Sequence, residues 1–228
     1  IIWSIIVALT KFNFNSFDVT SAASKGLAFN SSANGFETST GGSMVLIKTL
    51  TASSSSTLSF VNGSSSVVLD NTYPVYKFVF TSIHPSVNQA FFRFNLSTDS
   101  GSNYNVTKTS THFNALHSED GTSSASLSYN TSSDLAQSTS DQTLCNKVGN
   151  GNDESASGCL YLFNPSSTTF VKHYMSDSNY YHQGGDVSRR DLVAGYGNTT
   201  SAIDAVKFLF SSGNIDSGTI KLYGIKDS

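Results

Sequence analysis

The residue pattern predicts an all-β protein: an antiparallel β-sandwich, jelly-roll-like, with about ten strands and very little helix. From Ser43 onward, short apolar or alternating segments recur between clusters of Ser, Gly, Asn and Asp at fairly regular spacing, which is how a sandwich or barrel reads in sequence. No stretch of eleven or more residues keeps a helical apolar stripe; at most, Leu135 and Ala136 after Ser132-Ser133-Asp134 form a single capped turn. The chain also carries 16 Phe and 10 Tyr, a packing area that disordered chains lack, although just 13% of its residues are charged. An average domain holds about 25% charged residues, so the surface here is polar but weakly charged.

Strands are expected at Met44 to Leu50, Thr57 to Val61, Tyr76 to Ile83, Phe91 to Leu96, His112 to Leu116, Gln142 to Val148, Cys159 to Phe163, Phe170 to Met175, Ala205 to Phe210 and Thr219 to Ile225. Alternation is clearest in Tyr76-Lys77-Phe78-Val79-Phe80, Phe92-Arg93-Phe94-Asn95-Leu96 and Val206-Lys207-Phe208-Leu209-Phe210. A two-residue period places Phe78 with Phe80, Phe92 with Phe94, and Phe208 with Phe210 on common faces, and these rings are the expected core.

At 228 residues, one sandwich domain over residues 43–228 is the default, preceded by an extended N-terminal arm over residues 1–42. The arm is rich in Ser, Thr, Asn, Gly and Ala, with Phe12, Phe14, Phe17 and Phe29 spaced as anchors. It either lies along a neighbouring subunit or mounting surface, or forms an edge strand with a loose arm; both readings stay open. Its apolar opening lacks the basic region and small-residue cleavage site of a signal peptide and is far shorter than the roughly 20 apolar residues that span a bilayer, so neither export nor membrane insertion is expected.

A net charge of -3 and a pI near 5.9 supply no basic field for a phosphate backbone, which argues against nucleic-acid binding. Catalysis is not expected either. The chain has no Gly-x-Ser-x-Gly elbow, phosphate-binding loop, dinucleotide fingerprint, His-Glu-x-x-His or Cys-x-x-Cys. His112 and His117 fall on opposite faces of a strand, and His173 and His182 meet only if their loop folds back, so solvated or hydrogen-bonded histidines are expected rather than metal ligands. The densest acidic spots, Glu119-Asp120-Gly121 and Asn152-Asp153-Glu154, read as turns, and the loop from Asn150 to Ser155 lacks the spacing of an EF-hand. No cofactor and no metal is expected. The two cysteines, Cys145 and Cys159, flank a turn-rich stretch and can form a disulfide if they face each other, with reduced core thiols the favoured reading.

One cluster stands out as a candidate contact site: Tyr180, Tyr181 and His182, beside Gly184, Gly185 and Asp186. Read as exposed, these side chains suit either subunit packing, where Tyr is enriched, or a sugar platform, since aromatic faces and planar polar groups suit carbohydrate.

Four stretches carry a resemblance. Tyr76-Lys77-Phe78-Val79-Phe80 with Ile83-His84-Pro85, Gly101-Ser102-Asn103-Tyr104-Asn105-Val106-Thr107-Lys108-Thr109, Leu162-Phe163-Asn164-Pro165-Ser166-Ser167-Thr168-Thr169, and Ser211-Ser212-Gly213-Asn214-Ile215-Asp216-Ser217-Gly218-Thr219-Ile220-Lys221-Leu222-Tyr223-Gly224-Ile225 resemble a family of marine phage virion structural, tail-fibre-like proteins of the cyanophage and pelagiphage kind. The likeness runs from about Val7 to the end. Val7-Ala8-Leu9-Thr10-Lys11 is similar to the Met-Ala-Leu-Thr-Lys opening of that family, which implies a start at Val7 and leaves residues 1–6 outside the native protein. The resemblance implies a virion component, assembled in the host cytoplasm, with other virion proteins as partners, a homo-oligomer with trimers favoured, and host attachment through a surface glycan. It carries over no catalytic residue. Cys145, Cys159 and the Tyr180-Tyr181 pair are not family features. A carbohydrate-binding adhesin is the alternative expectation, and a glycan depolymerase, which needs two convergent carboxylates, the remote one.

The same stretches have direct physical readings. Pro85 ends a strand because it cannot donate to a ladder. Asn164-Pro165-Ser166-Ser167 is a turn. Ser211-Ser212-Gly213-Asn214 turns the chain after a Phe-rich strand, Ile215 packs inward, and Ser217-Gly218 is expected to turn it again.

Overall fold

The computed structural model describes residues 26–29, 32, 36–39, 42–183 and 186–227. The positions expected as anchors at Phe12, Phe14 and Phe17, the start at Val7, and Gly184 and Gly185 lie outside the described residues. The chain divides into two compact units, Ile1–Gly42 and Ser43–Ser228. In the first, β1 (Gly26–Phe29) pairs antiparallel with β2 (Phe36–Ser39) as a separate two-stranded sheet, with the Phe29 and Phe36 rings stacked at 4.9 Å.

The second unit is an all-β antiparallel sandwich. Its strands are β3 (Met44–Thr51), β4 (Leu58–Val61), β5 (Val75–Pro85), β6 (Ala90–Ser97), β7 (Lys108–Ser118), β8 (Ala125–Tyr129), β9 (Gln142–Val148), β10 (Ala156–Phe163), β11 (Lys172–His182), β12 (Val187–Gly197), β13 (Ala205–Phe210) and β14 (Ile215–Ile225). The large sheet runs β3-β14-β5-β10-β11-β12-β7-β8 and the small one β9-β6-β13-β4. The two join through a single His182↔Val148 pairing of β11 with β9. The described residues contain fourteen strands rather than the expected ten; β1, β2, β8 and β12 are the additions, and β7 and β11 run well beyond their expected ends.

Between the sheets lies the aromatic core that the alternation predicts. Phe78 and Phe80 of β5, Phe92 and Phe94 of β6, and Phe208 of β13 are fully buried, and Phe210 nearly so. Rings meet edge-on across the sandwich, Phe60 with Phe78 at 5.3 Å, Phe80 with Phe92 at 5.2 Å and Phe94 with Tyr174 at 5.0 Å, the geometry that aromatic quadrupoles favour.

Pro85 is the last residue of β5, and Asn164 opens its turn at φ 43° with Ser167 N donating to its carbonyl. Ser217-Gly218 differs from the expected turn. β14 passes through it unbroken, with register shifts between Ile215 and Thr219 against β5. Gly218 has φ +111°, and a Cβ there would stand 2.5 Å from the Ser82 carbonyl oxygen, so the site is a bulge that glycine allows.

Toward one end the interior changes character. The inward residues of β7, β12 and β11 include Lys108, Ser110, His112 and Asn114, then Arg189 and Asp191, then Lys172, Ser176 and Ser178, all buried. A polar interior of this kind survives because its members satisfy one another.

Candidate functional site

At one end of the sandwich, the connections β7–β8, β9–β10 and β11–β12 converge on a cleft of about 330 Å³ lined by Glu119, Asp153, Ser155, Ser157, Asn179, Tyr180, Tyr181 and Ser188. Glu119 N donates to the Asp186 carbonyl at 2.9 Å, tying two of the connections together. Tyr181 Oη donates to Asp186 Oδ1 at 2.5 Å; that bond, with the nearby Glu119 and Glu154 charges adding to it, pushes the phenol up to about 12. Asn179 Nδ2 donates to Ser188 Oγ at 3.1 Å and to the Arg189 carbonyl at 3.0 Å, so the amide is held in place on the cleft wall.

The two acidic spots divide their labour. Asp120 is a turn residue, accepting from Ser118 Oγ at 2.8 Å, Thr122 N at 2.9 Å, Ser123 N at 2.8 Å and Ser123 Oγ, and these bonds, that of the Ser123 hydroxyl foremost, hold its carboxyl far below the usual range. Glu154 Oε2 likewise accepts from Gly151 N at 2.6 Å. Their neighbours Glu119 and Asp153 instead line the cleft. The turn reading of these spots therefore describes half of their carboxylates, and no spacing rule could have shown that the other two share one cleft.

Of the predicted contact residues, Tyr181 and Asp186 meet at this cleft. Tyr180 does not belong to an exposed cluster: it is 2% exposed, because β11 continues through it and alternation turns it inward. His182 is half-buried with its ring 6.3 Å from that of Tyr180, and burial lowers its pKa.

Tyr180 connects the cleft to a buried network that sequence reading missed. Its Oη donates to Asp191 Oδ2 at 2.8 Å and accepts from Asn146 N at 2.7 Å. Arg189 Nε donates to Asp191 Oδ1 at 2.8 Å and Arg189 Nη2 to Asn114 Oδ1 at 3.1 Å. His112 Nε2 lies 3.3 Å from Asp191 Oδ2. His112 is fully buried, so it is not solvated, and the Asp191 carboxylate is its polar neighbour. Burial raises the Asp191 pKa, but the His112 contact and the Arg189 guanidinium outweigh it and hold the carboxyl below its ordinary value.

Both cysteines are free thiols, Cys145 buried and Cys159 half-buried. Cys159 is paired with Val79 of β5 and Asp177 of β11, two strands to which β9 and its Cys145 make no matching register. Burial pushes the Cys145 thiol well up. No group of three or more His, Cys, Asp or Glu among the described residues could hold a metal ion.

A second feature lies on the outer face of the large sheet. Val75, Tyr161, Phe163, Met175, Leu192 and Ile225, with Ser176 and Asp177, surround a depression of about 520 Å³. Met175 is 55% exposed at mid-strand.

These arrangements suit binding. Glu119 and Asp153 accept hydrogen bonds, Asn179 and the serines donate and accept, Tyr181 offers a ring, and the cleft carboxylates disfavour anionic ligands. Fold and site together define an antiparallel β-sandwich with a polar cleft at one end and an apolar sheet face. Comparison of the chain with protein-family models, with curated proteins and with solved structures finds no match in any of the three.

Proposed function

We propose that this chain is a structural component of a phage particle, a tail or capsid-surface appendage assembled in the host cytoplasm, that works by packing against other subunits. The virion half of the reading rests on the four stretches that resemble marine phage structural proteins. The packing half rests on one observation: the apolar depression on the outer face of the large sheet, where half-buried Val75, Tyr161, Phe163, Leu192 and Ile225 surround Met175, a composition that suits a subunit contact. The test is gold-labelled antibody staining of purified phage particles viewed by electron microscopy. Label on tail or capsid is the expected result; particles without label would overturn the virion assignment.

The end cleft favours a second reading, compatible with the first, as a host-glycan contact. Its volume of about 330 Å³ and its mix of one tyrosine ring with carboxylates, amide and hydroxyls match what a short oligosaccharide needs. Retention of the protein on immobilised neutral glycans, lost in Tyr181→Ala, is the expected outcome, and a glycan array without hits removes the reading.

A further inference from the structure

We infer that Asn95 and Lys108 are the two halves of an internal cross-link: an isopeptide bond forms between Lys108 Nζ and Asn95 Cγ with release of ammonia, and the Asp141 carboxyl moves the protons. Asn95 stands on β6 of the small sheet and Lys108 opens β7 of the large one. The two are thirteen residues apart in the chain, so the bond would tie one sheet to the other.

Hydrogen bonds hold the amide ready for attack. Lys108 Nζ donates to Asn95 Oδ1 at 2.6 Å, and Leu96 N donates to the same oxygen at 2.9 Å. On the other side, Asn95 Nδ2 donates to Asp141 Oδ1 at 2.9 Å and to the Thr139 carbonyl at 3.1 Å. Donors face the oxygen and acceptors face the nitrogen, which fixes the orientation of the amide. A carbonyl bond is about 1.2 Å long, so Asn95 Cγ lies within about 3.9 Å of Nζ. Reactants held in place react from roughly 3–3.5 Å, a small side-chain movement away. Lys108 is fully buried and Asn95 nearly so, which keeps out water, the competing nucleophile.

Lys108 is also the right kind of amine. Its other acceptor is the Val106 carbonyl at 2.8 Å, so both of its hydrogen bonds go to neutral oxygens. Burial lowers its pKa to about 8, with Asp141 opposing the fall and Lys207 adding to it. An amine in that range is neutral in roughly half of the molecules near pH 8, and a desolvated neutral lysine is a nucleophile. Lys207 is placed differently. Half-buried, it reaches the carboxylate instead of the amide carbonyl, with Nζ 4.0 Å from Asp141 Oδ1 and 4.9 Å over the Tyr104 ring.

The step balances within three side chains. The Lys108 ammonium gives one proton to the Asp141 carboxylate, and the freed lone pair on Nζ bonds to Cγ while the carbonyl electrons move to Oδ1, where the Leu96 N–H holds them. The Asp141 carboxyl then protonates Nδ2, the Cγ–Nδ2 bond breaks as the carbonyl re-forms, and the second Nζ proton passes to Asp141. Ammonia leaves and carries that proton away as ammonium, so no oxidant, reductant or further reagent is needed. The bond removes the Lys108 charge, and titration of Lys108 therefore belongs to chains that have not yet lost ammonia.

The experiment is mass spectrometry of the full chain, incubated at about pH 8 to 9, where the free amine is abundant, and then denatured. The expected mass is that of the sequence less one ammonia. Trypsin cannot cut after an acylated lysine, so the digest should contain a peptide running from Phe94 to Lys147 instead of one ending at Lys108. Lys108→Met should keep the full mass of its own sequence. Asp141→Asn should do the same, since its amide oxygen still accepts from Asn95 but carries no proton, and circular dichroism checks that both variants fold. A succinimide at Asn62-Gly63 or Asn150-Gly151 would cost the same ammonia, but it hydrolyses in mild alkali and would appear in Lys108→Met as well. A wild-type chain at full mass, ammonia loss that persists in Lys108→Met, trypsin cleavage after Lys108 in the lighter chain, or linkage at the wild-type rate in Asp141→Asn would overturn the inference.

Discussion

Replacing Asp191 with alanine tests how the polar half of the interior is held together. The carboxylate is fully buried and takes hydrogen bonds from Arg189 Nε, Tyr180 Oη and Asn146 N, at 2.8, 2.8 and 3.2 Å. Asp191→Ala strands the Arg189 guanidinium with Asn114 as its remaining acceptor and removes an acceptor from a phenol and an amide. Breaking a buried pair by deleting one partner costs about 3–5 kcal/mol, because the surviving charge stays out of water without compensation. For a domain of this size each kcal/mol shifts Tm by about 2–4 °C, so a fall of roughly 6–20 °C is expected. Urea unfolding followed by circular dichroism gives the free energy directly, provided the transition is two-state. Arg189→Met alone should also destabilise, while the double variant Asp191→Ala with Arg189→Met should cost markedly less than the two single losses combined, with a coupling of about 2 kcal/mol. A loss below about 1 kcal/mol in Asp191→Ala, or strict additivity, would refute the claim that this ion pair is structural.

Three further outcomes follow from the same interior. Lys108 is fully buried, its ammonium donating to Asn95 Oδ1 at 2.6 Å and the Val106 carbonyl at 2.8 Å, and burial depresses its pKa to about 8. The unfolded chain then binds more protons between pH 8 and about 10.5, so stability rises with pH over that window, by up to about 3 kcal/mol. Above pH 10 the buried Tyr76, held up to about 12 by burial, opposes the gain. Urea midpoints measured across pH 7.5 to about 9.5 should rise more, or fall less, in the native protein than in Lys108→Met, where the raised thiol of buried Cys145 still pulls stability down with pH; equal slopes would dismiss Lys108 as the source. At Gly158 a Cβ would press on the Asp177 carbonyl and stand 2.7 Å from Ser178 Cα, both backbone of β11. Gly158→Ala should therefore cost about 1–3 kcal/mol by thermal or urea unfolding, and an unchanged midpoint would show that the strands part freely. A thiol reagent added to the native protein should label Cys159 and spare buried Cys145; two adducts by intact mass without denaturant would contradict that placement.

The strands that sequence reading bounded best carry apolar residues at their inward positions, although Gln142–Val148 also buries Gln142, Thr143 and Asn146. Gln142–Val148 and Ala205–Phe210 match their expected bounds, and the rings of Phe78, Phe92 and Phe208 lie where period two puts them. β12 was invisible for the opposite reason. In Val187–Gly197 the inward positions carry Arg189 and Asp191 while Leu192 points outward, so the pattern reads as no strand at all. β11 was cut short likewise, since Ser176 and Ser178 face the interior, and its missing half made Tyr180 look exposed.

The amino-acid sequence by itself determined the all-β class, the antiparallel sandwich and the aromatic core, because burial of large rings and the two-residue period of a strand are local properties readable from neighbours. Only the tertiary structure decided that Lys108, His112, Arg189 and Asp191 are interior, that Glu119 and Asp153 share a cleft, and that Met175 and Phe113 face water. A charge is stable inside when polar groups from other strands meet it there, as Asn114 meets Arg189, Tyr180 and Asn146 meet Asp191, and Asn95 meets Lys108, and a loop carboxylate finds its neighbours through the convergence of connections far apart in the chain. Neither condition is written in residue type or spacing; both arise when the sheets close.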